Sequence, residues 1–106
     1  MNSDERLSYN LGALLGVVGA EMVEGASSER EAVARKLFGD VTEATSEYLS
    51  YGYTDKVDSL LSTVYDKASD QINGAFDVDT VGFIEEEVLP WVVDAQKQIK
   101  EMRKTQ

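Results

Sequence analysis

Between Val57 and Ile72 the apolar residues fall at Val57, Leu60, Leu61, Val64, Tyr65, Ala68 and Ile72, the spacing that lines one face of an α-helix. Helical periodicity dominates the chain, and no segment shows sustained alternation rich in β-branched residues. The fold class that follows is all-α. We expect a compact bundle of about five helices, a single helical domain over residues 1–106. With 42% hydrophobic residues the chain can bury one core without staples, and it has no cysteine to make them.

Helix breakers set the expected boundaries. A first helix runs from about Asp4 to Val23, carrying Leu7, Leu11, Leu14, Leu15, Val18 and Met22 on one row and Gly12, Gly16, Gly19 and Val23 on the next. Two adjacent apolar rows predict that this helix is central and buried on most sides. Gly25 can stop it, and Ser28 with Glu31 has the form of a capping box for a short second helix ending near Phe38, before Gly39. Asp40 with Glu43 then caps a third helix, Val41 to about Tyr51, which Gly52 ends. Thr54 or Asp55 opens a fourth, closed by Asn73 and Gly74. The final segment holds the only proline, Pro90, yet Val81, Ile84, Val88, Trp91, Val92, Ala95, Ile99 and Met102 keep one helical phase across it. A chain that turned sharply there would have no reason to hold that phase. One long helix from about Thr80 to Arg103, bent at Pro90, is therefore expected, with two helices broken at the proline as the alternative.

Charge narrows the function classes. Twenty acids against ten bases give a formal charge of −10, and the excess is local: between Leu37 and Ala95 stand thirteen acids and two bases, Lys56 and Lys67, whereas the tail from Gln96 has four bases and one acid. Such a surface repels nucleic acid and anionic membranes and attracts basic partners or divalent cations. The acidic start of the chain lacks the polarity of a secretory or transit peptide, and the longest uncharged apolar stretch, Leu11 to Ala20, is about half a bilayer span, so a cytoplasmic protein is expected. Histidine is absent, which removes the usual general base, zinc ligand and pH switch. The Glu-X-X-His metal pattern of helical bundles cannot be written, and no phosphate-cradling glycine loop follows a strand. Enzyme is the least supported class, and no cofactor is implied.

Four features remain as candidate sites. In "FDVDTVGFIEEEV", residues 76–88, the positions of Asp77, Asp79, Gly82 and Ile84 are similar to two ligands, the turn glycine and the hydrophobic anchor of an EF-hand loop. That resemblance implies a calcium site held by Asp77 and Asp79, but the fifth and twelfth positions, which should bind the ion, are Val81 and Val88, and both belong to the apolar stripe of the last helix. A helix start capped by Asp79 or Thr80 accounts for the segment better. The second feature is the row Gly12, Gly16 and Gly19. Glycine inside a helix costs about 1 kcal/mol relative to alanine, so another helix should pack unusually close there, either within the chain, the reading preferred, or from a second copy.

Third, "SEYLSYGYTD" sets Tyr48, Tyr51 and Tyr53 about a glycine turn, and tyrosine is enriched at interface hot spots. The alternative is that Tyr48 and Leu49 face the core while Tyr51 and Tyr53 cover a helix junction. Fourth, Asp40, Glu43 and Glu47 share one helix face, while Asp55, Asp58, Asp66 and Asp70 share the face of the next helix opposite its apolar stripe. With Glu85, Glu86 and Glu87 these make rows of negative charge able to stand in for a phosphate backbone.

The function expected from these features is binding of another protein, one with a basic or nucleic-acid-binding surface, through Glu43, Glu47, Tyr51, Tyr53, Asp55, Asp58, Asp66 and Asp70, and inhibition of that partner. The profile resembles the small acidic inhibitors carried by phages and mobile elements, a likeness of type without a shared motif. Direct binding to nucleic acid or membrane is not expected. The alternatives are a self-associating structural subunit, a homodimer or larger, using Gly12, Gly16 and Gly19, and a weak calcium-binding module.

Overall fold

The structure, a computed structural model, describes residues 2–24, 28–75 and 77–104. Among these there are four helices and no strand: α1, Ser3–Glu24; α2, Ser28–Tyr51; α3, Asp55–Gly74; and α4, spanning 78–104. The all-α expectation holds, with one helix fewer than expected.

Local chemistry explains most boundaries. Asn2 opens α1, its side chain accepting a hydrogen bond from the Glu5 amide at 2.8 Å. The stop expected at Gly25 lies outside the described residues, as does the side chain of Ser28 that the capping box needs. Gly52 ends α2 in the left-handed region, at φ +73°, a conformation that glycine adopts without strain. Thr54 caps α3, as expected, by accepting from the Val57 amide. The cap of α4 is Asp77, whose carboxylate accepts from the Asp79 amide at 3.0 Å, so the cap lies two residues earlier than Asp79 or three earlier than Thr80, the two candidates read from the sequence.

The helices expected at Ser28–Phe38 and Val41–Tyr51 are one helix, α2. Gly39 and Asp40 are simply part of it, because Val33, Leu37, Val41, Ala44 and Tyr48 form one buried stripe through the glycine. A glycine costs a helix about 1 kcal/mol, whereas burying a leucine or valine contributes about 1.5–3 kcal/mol, so the stripe wins.

In α4 the helical path continues through Pro90 as one element with three parts: an α-helical start, Val78–Gly82; a wide π turn, Phe83–Val88; and an α-helical remainder, Leu89–Lys104. The Leu89 amide bonds the Ile84 carbonyl, five residues back rather than four. Proline lacks an amide hydrogen and its ring crowds the carbonyl four residues earlier; a widened turn directly upstream is the known way for a helix to absorb such an interruption.

The helices alternate in direction around a shared core. α1 packs against α2 and α4, α3 packs against the same two, and α1 and α3 stand at diagonal corners of a body 43 × 23 × 23 Å. Leu7, Leu11, Leu14 and Val18 of α1 meet Leu37 and Val41 of α2, Val57, Leu61, Val64 and Ala68 of α3, and Ile84, Val88, Val92, Ala95 and Ile99 of α4 in one buried cluster. Helix α1 is therefore one of four corners, not the centre. Its second row points outward: Gly12, Gly16 and Val23 are exposed, and Tyr9 covers Trp91 edge-on at 5.7 Å. No described helix is long and apolar enough to cross a membrane.

Candidate protein-binding face

Two lysines decide the electrostatics of the α2–α3 side. Lys67 reaches Asp40 at 2.6 Å, and Lys56 reaches Glu43 at 3.0 Å. These are the only two bases between Leu37 and Ala95, and both neutralise α2 carboxylates across the seam with α3. The Lys56 pKa is raised, first by its hydrogen bond to Glu43, then by the fields of Glu43 and Glu47. Glu47 also accepts from the Thr54 hydroxyl at 3.3 Å. The α2 acids thus form a seam laced with lysine rather than the unbroken negative row read from the sequence.

On α3 the four aspartates separate into two kinds. Asp58 receives Arg103 of α4 at 2.7 Å, and Asp55, beside it, lies 3.7 Å from the same guanidinium. Arg103 also donates to the Tyr53 hydroxyl at 2.8 Å and stacks over its ring. Its pKa is raised, first by that Tyr53 hydrogen bond and then by Asp58. Asp58 and Tyr53 therefore fasten the start of α3 to the end of α4, and Tyr53 covers a helix junction as the alternative reading had it. Asp66 and Asp70 are exposed and, among the described residues, make no ion pair.

The tyrosine turn is divided as well. Tyr48 is buried, its hydroxyl donating to the Asp4 carboxylate and carbonyl at the start of α1; burial, then that hydrogen bond, push the phenol above its ordinary pKa. Leu49, which the alternative reading placed in the core, is 73% exposed, and Tyr51 is 75% exposed. The angular step of 100° per residue carries Leu49 away from the stripe that Tyr48 completes. Tyr51 closes one end of an open groove of about 540 Å³ along the outer face of α2, floored by Gly39, Thr42, Ser46 and Ser50, with Phe38 at the far end and Glu43, Glu47 and Lys56 along one side. The small residues at 39, 42, 46 and 50 recur at helical spacing, a signal present in the sequence.

The glycine row does not behave as expected. A Cβ on Gly12 or Gly16 would meet nothing within 4 Å, and one on Gly19 would only touch Phe38 at 4.0 Å. Close packing of another helix of this chain against Gly12, Gly16 and Gly19 is excluded.

The EF-hand-like aspartates do not converge. Asp77 caps its own helix, while Asp79 turns to Arg30 of α2 at 2.9 Å. Among the described residues no group of three or more carboxylates is placed to hold a metal ion. Phe76, the residue before the loop, lies outside the described residues.

Two clusters went unread in the sequence because their members are far apart along the chain. Arg30 meets Glu21, Asp79 and Glu87 and lies 4.7 Å over the Phe83 ring, joining α1, α2 and α4 at one end of the bundle. The Asp77 amide, donating to Glu29 at 3.2 Å, adds a further tie there. Between α1 and α4, Asp94 accepts from Asn10 at 2.9 Å, from Arg6 at 3.0 Å and from Gln98 at 3.3 Å, with Asn10 and Gln98 buried. Set against known proteins, the chain matches no family model, no curated protein and no solved structure.

Proposed function

We propose that this protein binds another protein whose contact surface is basic, of the kind that also binds nucleic acid, and inhibits it by occupying that surface. The observation that carries the reading is the outer side of α2 and α3, where exposed Tyr51 closes one end of a groove edged by Glu43 and Glu47 while Asp66 and Asp70, on the next helix, make no ion pair among the described residues. An exposed tyrosine is of the residue type enriched at interface hot spots, and acids not engaged within the molecule steer a cationic partner. The contact is better described as aromatic and acidic together than as pure charge mimicry, because Lys56, Lys67 and Arg103 already neutralise much of the row. Asp55, exposed at the start of α3, extends the same side.

The test is affinity capture from a lysate of the source organism with the tagged protein, identification by mass spectrometry, and competition with DNA. One nucleic-acid-binding protein should be recovered, displaced by DNA, and lost when Tyr51→Ala or Asp66→Asn with Asp70→Asn is used as bait. Truncating a hot-spot tyrosine weakens a complex by about 2 kcal/mol. Recovery undiminished by all three substitutions, or recovery of the bait alone, would overturn the reading.

A further inference from the structure

The outward face of α4 and the α2 groove are complementary to each other. Val93, Lys97, Lys100 and Lys104 are all exposed, and their spacing of four, three and four residues sets them in one narrow stripe opposite the buried Val92, Ala95 and Ile99. Among the described residues Lys104 pairs with Glu101 alone, at 3.6 Å, and Lys97 and Lys100 make no ion pair. Helix α2, followed in the opposite direction, offers Tyr51, Glu47, Glu43 and Asp40, spaced four, four and three. Laid antiparallel, the two stripes match in length, about 16 Å at 1.5 Å per residue. Val93 then meets Tyr51, Lys97 meets Glu47 and Lys100 meets Glu43, while Lys104 comes to Asp40, which also holds Lys67 of its own molecule at 2.6 Å.

We propose that the α2 groove of one copy of this chain receives the basic face of α4 from a second copy. One molecule cannot make this contact with itself, because α2 and α4 occupy opposite corners of the bundle and their outer faces point apart. The contact is therefore head to tail and builds open chains or rings rather than a closed symmetric pair. A helix suits the groove because it satisfies its own backbone hydrogen bonds, and the floor of Gly39, Thr42, Ser46 and Ser50 lets it approach closely. Lys56, itself exposed, shares Glu43 with the incoming lysine. The formal charge of −10 opposes assembly at long range, but at about 0.15 M salt screening sets in beyond about 8 Å while contact pairs persist. This inference goes beyond the proposed foreign partner and does not depend on it.

Sedimentation analysis at about 0.15 M salt decides the matter. The weight-average mass of the wild type should climb above the monomer's 11.7 kDa as concentration rises. Glu43→Lys with Glu47→Lys should stay monomeric, as should Lys97→Glu with Lys100→Glu. Mixing the two variants, or combining all four changes in one chain, should restore association because opposite charges again face each other. Circular dichroism verifies that each variant is helical, and Glu43→Gln with Glu47→Gln, which adds no repulsion, should weaken association to an intermediate extent. A wild type that stays monomeric at every concentration overturns the proposal. So does association indifferent to these changes, which would assign it to another face such as the outer side of α1, and so does a mixture that fails to recover. Capture of a foreign partner by the Lys97→Glu, Lys100→Glu variant separates the fate of this inference from that of the proposed function.

Discussion

Replacing Arg30 with alanine tests which of its contacts hold the bundle end together. The side chain is 15% exposed and its most buried carboxylate partner, Glu21, 11% exposed, whereas Asp79 and Glu87 are 60% and 54% exposed. Exposed pairs contribute about 0.2–1 kcal/mol, while stripping the partner from a buried charge costs about 3–5 kcal/mol. The Glu21 pair lies between these limits, at about 2 kcal/mol, and loss of the cation–π contact with Phe83 adds about 0.5–1 kcal/mol. The raised pKa of Arg30 owes most to its hydrogen bond with Asp79, which would rank Asp79 first. Solvent around Asp79 argues the other way, and burial should govern stability. Arg30→Ala is therefore expected to destabilise by about 3 kcal/mol, lowering the thermal midpoint of a chain this size by roughly 12 °C. Urea denaturation followed by circular dichroism measures this directly. A double-mutant cycle should give a coupling of about 1.5–2 kcal/mol with Glu21→Gln and under about 0.5 kcal/mol with Asp79→Asn. A total loss below about 1 kcal/mol, or stronger coupling to Asp79 than to Glu21, would refute the burial argument.

Other expectations follow from the same geometry. Gly12→Ala and Gly16→Ala should each stabilise the isolated protein by about 1 kcal/mol, since a methyl group meets no neighbour at either position; a loss of stability on chemical denaturation would mean that something covers the row. Asp94 should contribute to acid sensitivity. Its desolvation favours the neutral acid, but hydrogen bonds from Asn10 and Gln98 and the nearby Arg6 outweigh that and hold its pKa below the ordinary value. A carboxyl depressed in the folded state stabilises above its unfolded pKa, and that stability disappears as pH falls below about 4 toward the depressed value. Asp94→Asn should flatten that part of the stability–pH curve, and an unchanged slope would refute the assignment. Pro90→Ala should leave the helix content intact and raise the thermal midpoint, because the missing amide hydrogen returns and the strain that the wide turn absorbs is relieved. A fall in stability would show that the π turn is held by packing of Phe83, Ile84 and Val88 instead.

How much of the molecule was legible depended on the range of the interaction involved. The stripes in α1, α3 and α4 needed only the helical period, and their inner members, Leu7 to Val18, Val57 to Ala68 and Ile84 to Ile99, are the core. Continuity through Pro90 was readable because the apolar phase survived it. The same argument applied across Gly39, where Leu37 and Val41 keep step, but a local break signal of about 1 kcal/mol obscured a stripe stabilised several times more by burial. At the candidate face, the identities of Glu43, Glu47, Tyr51, Asp66 and Asp70 were evident, while the seam that neutralises Asp40 and Glu43, and the fastening of Asp58 and Tyr53 by Arg103, were not.

The sequence by itself determined the helical class, the inward face of each helix and the acidic middle, because each rests on neighbours within one or two turns. Only the tertiary structure decided which corner each helix occupies, that the glycine row of α1 points outward, and which carboxylates keep their charge unpaired. The physical reason is distance along the chain. Arg6 finds Asp94, Arg30 finds Asp79 and Glu87, and Arg103 finds Asp58 only after four helices have closed around a core. No local period encodes those meetings.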